Sequence, residues 1–306
     1  MELGVALPVS GSWATAENCI EIAEMAEALG YRSLWTFQRL LSPVTPEGVQ
    51  WLPPAYHEVL DPLSVLAFVA ARTTRVRLGV AVLNAPFHPP VMLAKTAATI
   101  DRLSGGRLDL GLGSGWMPDE FRAVGADLER RGAQMEEYLA ALDAAWTQGV
   151  TSFDGTFSTM PAAVVAPPPV QRPRPPVLLG GAAPAALRRA GRLADGWISA
   201  STTDLTTIGQ SVDLITDAAR AAGRDPSSLR FVCRGVVKVR ADDRAPLTGS
   251  LSEIAADLED LAAQGMTETF IDLNFDPEIG APDADAASSM ERAREVLAAL
   301  APSPRT

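Results

Sequence analysis

Asp101-Arg102-Leu103-Ser104-Gly105-Gly106-Arg107-Leu108-Asp109-Leu110-Gly111-Leu112-Gly113-Ser114-Gly115-Trp116 reads as a helix end, a tight turn, a buried strand and a glycine-rich exit. Ser104-Gly105-Gly106 stops the helix, because glycine accepts the left-handed conformation that a helix C-terminus needs. Residues 108–112 are short and mostly apolar, as a strand covered on both faces is. Gly113, Ser114 and Gly115 then carry bare backbone past the strand's carboxyl end, the end at which α/β folds bind ligands. Gly111, Gly113 and Gly115 do not make a dinucleotide fingerprint, whose third glycine would stand where Trp116 stands. Two readings stay open from the glycines alone, close strand–helix packing and a binding loop.

The same alternation runs along the whole chain. Strands are expected at 3–8, 33–36, 77–83, 108–112, 177–180, 196–199, 229–239 and 269–273. Helices are expected at 17–29, 62–72, 91–103, 119–124, 134–148, 184–193, 205–222, 251–264 and 286–300. Eight strands alternating with helices imply a parallel sheet closed into a (β/α)8 barrel. The 306 residues suit one such domain over 1–306, with insertions near 37–60 and 150–176. The first insertion is a long loop, of a length usually tied to function. The second holds a turn at 153–157 between two extended pieces, then prolines that exclude helix.

Composition narrows the function. A formal net charge of −11, with no run of Lys or Arg, argues against a nucleic-acid partner. No apolar run approaches the roughly 20 residues that span a bilayer. The N-terminus has no basic-then-apolar leader, so the expectation is a cytoplasmic protein that does not touch the membrane. Cys19 and Cys233 are far apart and the only histidines are His57 and His88, so neither a disulfide framework nor a metal site is expected.

The run from Ala94 through Arg107 into Gly111–Trp116 and Asp119-Glu120-Phe121 resembles the luciferase-like monooxygenase superfamily. So do Gly30-Tyr31, Ser33-Leu34-Trp35, Thr74–Gly79, Val177–Gly181 and Ala194-Asp195-Gly196-Trp197. The resemblance covers most of the chain and implies a bacterial luciferase-like (β/α)8 barrel. It also implies FMN or the deazaflavin coenzyme F420 at the carboxyl ends of the strands. Ser104–Arg107 and Gly180-Gly181 resemble the F420-dependent branch most. The implied function is an F420-dependent oxidoreductase that moves a hydride between the deazaflavin C5 and a small organic substrate. The alternatives are an FMN-dependent monooxygenase with a partner reductase and a non-catalytic flavin-binding barrel. Family members are often homodimers.

The resemblance assigns roles residue by residue. Ala81-Val82 matches the non-prolyl cis peptide of the third strand, a bulge that supports the middle ring of the cofactor. Gly180, Gly181 and Ala182, ahead of a helix, are placed at the cofactor phosphate by the pull of free N–H groups on anions. Gly113, Ser114 and Gly115 assist there. Many F420 relatives carry an acid and a histidine after the second strand; this chain has Phe37-Gln38-Arg39. Gln38 cannot shuttle a proton, and Arg39 is expected to stabilise an anionic reduced ring or substrate. Some sugar-phosphate-oxidising relatives have a glutamate where Trp116 stands, which argues against that chemistry. Phe37, Trp116 and His88 are the expected substrate pocket. His88, a lone histidine in a proline-rich loop, reads more readily as a surface or packing residue, Trp35 and Trp197 read also as core, and Asp119 and Glu120 as complements to a helix dipole.

Overall fold

The computed structural model describes residues 1–44, 46, 49 and 51–303. The barrel strands are β1 (Glu2–Ala6), β2 (Ser33–Thr36), β3 (Arg77–Asn84), β4 (Leu108–Gly113), β7 (Val177–Gly180), β8 (Gly196–Ile198), β9 (Arg230–Val236) and β12 (Glu268–Asp272). They close in chain order, every neighbouring pair parallel. The helices are α1 (Ala16–Ala28), α2 (Pro62–Ala70), α3 (Pro90–Leu103), α4 (Pro118–Val124), α5 (Arg131–Thr147), α6 (Pro184–Leu193), α7 (Ile208–Ala221), α8 (Leu251–Ala263), α9 (Pro277–Gly280) and α10 (Ala286–Ala299). The expected (β/α)8 barrel is therefore the observed architecture.

Local chemistry sets the element ends. Thr15 accepts from Asn18 N at the start of α1, and Gly30, at φ 87°, turns the chain out of it. Ser250 and Glu253 form a reciprocal capping box on α8. All six residues of β4 are buried, as its apolar run requires. The core has two layers. Trp35, Ala81, Leu178, Ile198, Val232 and Phe270 fill the barrel, and a larger apolar layer joins strands to helices. Trp35 stacks on Phe270 at 5.1 Å, and a Cβ on Gly79 would come within 2.4 Å of the Trp35 ring.

Several boundaries differ from the sequence expectation. The strand expected over 229–239 leaves the barrel at Val236. Lys238–Val239 becomes β10, paired with β11 (Thr248–Gly249) outside it. The helix expected from 205 begins at Ile208, because Asp204 ties its carboxylate to Thr206 and Thr207 and holds a turn there. The 150–176 segment carries the expected turn between two extended pieces as an antiparallel hairpin, β5 (Thr151–Asp154) and β6 (Thr159–Ala163), whose turn is held by Glu137 accepting from the N–H groups of Thr156, Phe157 and Ser158. No helix among the described residues is long and apolar enough to cross a membrane. No group of three or more His, Cys, Asp or Glu among them could hold a metal ion.

Candidate active site

At the carboxyl ends of the strands lies a cleft of about 250 Å³. Of the residues expected at the site, Phe37, Gln38, Arg39, Ala81, Val82, Gly113, Ser114, Gly115, Trp116, Gly180 and Gly181 line it. Ala182 and His88 do not. Ala182 is exposed just beyond the rim, and His88 faces a separate cavity of about 380 Å³ beside Phe87, Tyr138 and the β5–β6 hairpin.

The floor of the cleft is the end of β3. The Ala81-Val82 peptide is cis, and the pairing of β3 with β4 shifts register between Val80 and Leu83. The Val82 side chain lies between the ends of β4 and β7. A Cβ on Gly113 would come within 2.6 Å of Val82 Cγ2, and one on Gly180 within 3.2 Å of Val82 Cγ1. Packing leaves no room for a Cβ on Gly113 without a shift of Val82, and little for one on Gly180. Close packing is therefore observed, and the same glycines line the cleft that Val82 shapes.

Gln38 is positioned by two hydrogen bonds. Its Oε1 accepts from Asn84 N at 2.8 Å, and its Nε2 lies 3.0 Å from His88 Nε2. With Oε1 accepting from a backbone N–H, the amide NH2 donates to His88 Nε2, so His88 carries its proton on Nδ1. Burial holds the His88 pKa below its ordinary value, opposed by Asp61. His88 therefore reaches the cleft only through Gln38.

Arg39 is more constrained than its sequence context implies. Its Nη1 pairs with Glu120 Oε2 at 2.9 Å, and both side chains are almost fully buried. Its Cζ lies 4.5 Å from the Tyr56 ring and 4.8 Å from the Trp116 ring. Arg39, expected to stabilise an anionic ring or substrate, thus already carries a protein carboxylate against it. Glu120, read from sequence as a dipole complement, is that partner, and it also accepts from Leu40 N at 2.7 Å. The pair clamps the loop after β2 to α4, with Tyr56 and Trp116 as its two aromatic faces. Trp116 packs edge-on to Trp51 and stays 49% exposed, forming the outer lip. Trp35 and Trp197 are core, and Trp197 Nε1 donates to the Gly181 carbonyl at 2.9 Å, fixing the turn after β7.

The residues present fit a flat ring system with a phosphate. Ala81, Val82, Ile198 and Phe37 offer an apolar slot in one wall. Next to it α6 opens with no capping side chain and no acid in its first turn, so no acidic side chain of that turn covers its N-terminal N–H groups. Sequence reasoning missed Asn84, Ser199, Ser201 and Arg234, all in the lining. Arg234 was within reach: a lone cation inside Phe231-Val232-Cys233-Arg234-Gly235 must find an acid, and Asp272 inside β12 is the acid.

A sequence model described as luciferase-like monooxygenase matches residues 1–301. A Mycobacterium tuberculosis protein of uncharacterised role is 34% identical over 287 residues, covering 90% of this chain and 92% of its own length. An FMNH2-dependent dimethylsulfone monooxygenase of Pseudomonas putida is 36% identical over 156 residues, 50% of this chain and 42% of that protein. The solved structure of an F420-dependent secondary alcohol dehydrogenase in complex with an F420-acetone adduct superposes with a TM-score of 0.77 at 16% identity, covering 98% of both chains.

Proposed function

The chain belongs to the luciferase-like monooxygenase family, and from that premise we propose that it is an F420-dependent oxidoreductase acting on a small organic substrate. The observation that carries a cofactor of this kind is the apolar slot over Val82 beside the uncapped start of α6. When bound, the deazaflavin supplies or accepts a hydride at C5. The chain's own residues position and exclude. Ala81 and Val82 support the ring, and Gly181 with the first N–H groups of α6 holds the phosphate, Ala182 lying at that turn. Gly113, Ser114 and Gly115 form the opposite rim. Gln38, locked between Asn84 and His88, presents a fixed amide and moves no proton. The Arg39–Glu120 pair holds Tyr56 and Trp116 over the opening, where they exclude water. A homodimer is part of this reading, and Met92 and Leu103, exposed on α3, suit its contact.

FMN is the second reading, favoured by the FMNH2-dependent relative. It would bring oxygen dependence and a reductase partner. Both cofactors carry a phosphate, so the α6 site serves either. A competition titration of stripped protein against F420 and FMN, read by the fluorescence of each cofactor, separates them. Tighter F420 binding is the expected result. Tighter FMN binding moves the protein to oxygen-dependent monooxygenation, and binding of neither removes the cofactor reading.

A further inference from the structure

One guanidinium in the wall of the cleft has donors left over. Arg234, on β9, is 6% exposed. Its Nε donates to Asp272 Oδ2 at 2.7 Å, and its Nη1 reaches the Ala81 carbonyl at 3.4 Å. Its Nη2 is buried and has no partner among the described residues. A guanidinium carries five N–H donors, so most of these are unmet, and unmet donors on a buried charge are costly. Asp272 cannot turn to cover them, because its Oδ1 already accepts from Asn274 N and Nδ2. The Phe37 and Phe275 rings flank the guanidinium, their centroids 4.5 Å and 4.4 Å from Cζ.

Arg234 also stands where the cleft continues. A second cavity of about 310 Å³ shares Arg234 and Ser201 with the first. Its walls carry Lys238 and the hydroxyls of Thr203, Thr206 and Thr248. Lys238 makes no ion pair among the described residues. The one acid in the lining, Asp204, opposes an anion there, but its carboxylate is engaged by Thr206 and Thr207.

We propose that Arg234 and Lys238 form an anion subsite that takes the carboxylate of the substrate, whose apolar body lies along Phe37 toward Trp116. The planar fork of Arg234 suits the two oxygens of a carboxylate, and Lys238 adds a point charge. The substrate class is then an organic acid with an apolar body. The proposal rests on the oxidoreductase reading only in calling that ligand a substrate; the subsite itself needs no cofactor.

Calorimetric titration of the full chain without cofactor, at constant ionic strength, tests it with benzoate and its neutral isostere benzamide. Benzoate is expected to bind at least tenfold more tightly. Lys238→Gln, on the half-buried β10 outside the barrel, should weaken benzoate severalfold and leave benzamide unchanged. Arg234→Lys keeps a cation against Asp272 but loses the fork, and should abolish most of the preference. Equal binding of the two probes, or a preference that survives in both variants, overturns the subsite. A third arm repeats the titration with F420 or FMN saturating. A preference that persists assigns the subsite to substrate. A preference lost by competition overturns that assignment and gives Arg234 and Lys238 to the cofactor's tail. If neither cofactor binds, the cofactor reading falls while the first two arms still decide the subsite.

Discussion

Both ends of the Gln38 amide are engaged, and this makes His88 a reporter of the site without placing it there. His88 Nε2 accepts from Gln38, and burial holds the imidazole neutral by lowering its pKa from 6.5. In the unfolded chain the same ring titrates near its ordinary value. Above pH 6.5 both states are neutral and the contribution to stability is complete. As the pH falls below that value the unfolded chain takes up a proton that the folded chain resists, so stability is lost as pH falls through the folded pKa. The urea midpoint of the wild type is therefore expected to drop more between pH 7.5 and pH 5.5, the interval about the ordinary histidine value, than that of His88→Gln, which keeps an acceptor for Gln38. Parallel drops in the two proteins would show that His88 is not the group responsible. From the sequence, His88 could be seen only as a histidine near a proline-rich turn; its link to Gln38 depends on the bulge that brings Asn84 beside the end of β2.

At the level of elements, strand ends make the cleft and glycines decide how close they come. Gly113 ends β4 and Gly180 ends β7, and both face Val82. The order of these strands was legible because each is a short apolar run between turn residues, and the glycines were legible as a cluster. Their reason was not, because it lies in a side chain on a third strand. Ser104–Arg107 resembles the F420 branch, yet it sits away from the cleft. Arg107 donates to the carbonyls of Ala70, Thr73, Val76 and Ser104, closing the turn between α3 and β4. That run closes a turn of the barrel, and none of its residues lines the cleft. Gly113→Ala should push Val82 into the slot. Overpacking of this kind costs about 1–3 kcal/mol. The affinity for whichever cofactor binds is expected to fall roughly tenfold, about 1.4 kcal/mol. Val82→Ala added to Gly113→Ala should recover most of that loss. Unchanged affinity in the single variant, or no recovery in the double, would mean that Val82 does not shape the slot.

Across the whole molecule the two ends of the barrel divide the work, and buried charge shows where the line falls. At the carboxyl ends the buried cations leave donors over: Arg39 Nε and Arg234 Nη2 have no partner among the described residues. At the amino ends the charges are closed on one another. Asp109 Oδ1 takes Arg77 at 2.5 Å and Arg230 at 2.9 Å, and Arg230 goes on to Glu268 Oε2 at 2.8 Å. Glu268 Oε1 then accepts from Ser33 Oγ at 2.5 Å and Trp35 Nε1 at 3.0 Å. This chain of contacts crosses β2, β3, β4, β9 and β12, so it ties strands that are far apart in sequence. No local pattern announces it, since Asp109 and Arg230 read from sequence only as polar residues at strand starts. In a barrel of this kind the amino-end face serves stability and the carboxyl-end face serves chemistry. Asp109→Asn leaves Arg77 and Arg230 facing a neutral amide. Removing one member of a buried ion network costs about 3 kcal/mol, the low end of its range being apt because both arginines are partly exposed. The urea midpoint should fall accordingly, while the cofactor dissociation constant of the folded protein stays within about twofold of wild type, less than 0.5 kcal/mol. A large change in that constant would mean that the amino-end network reaches through the barrel to the cleft, and that the two faces are coupled.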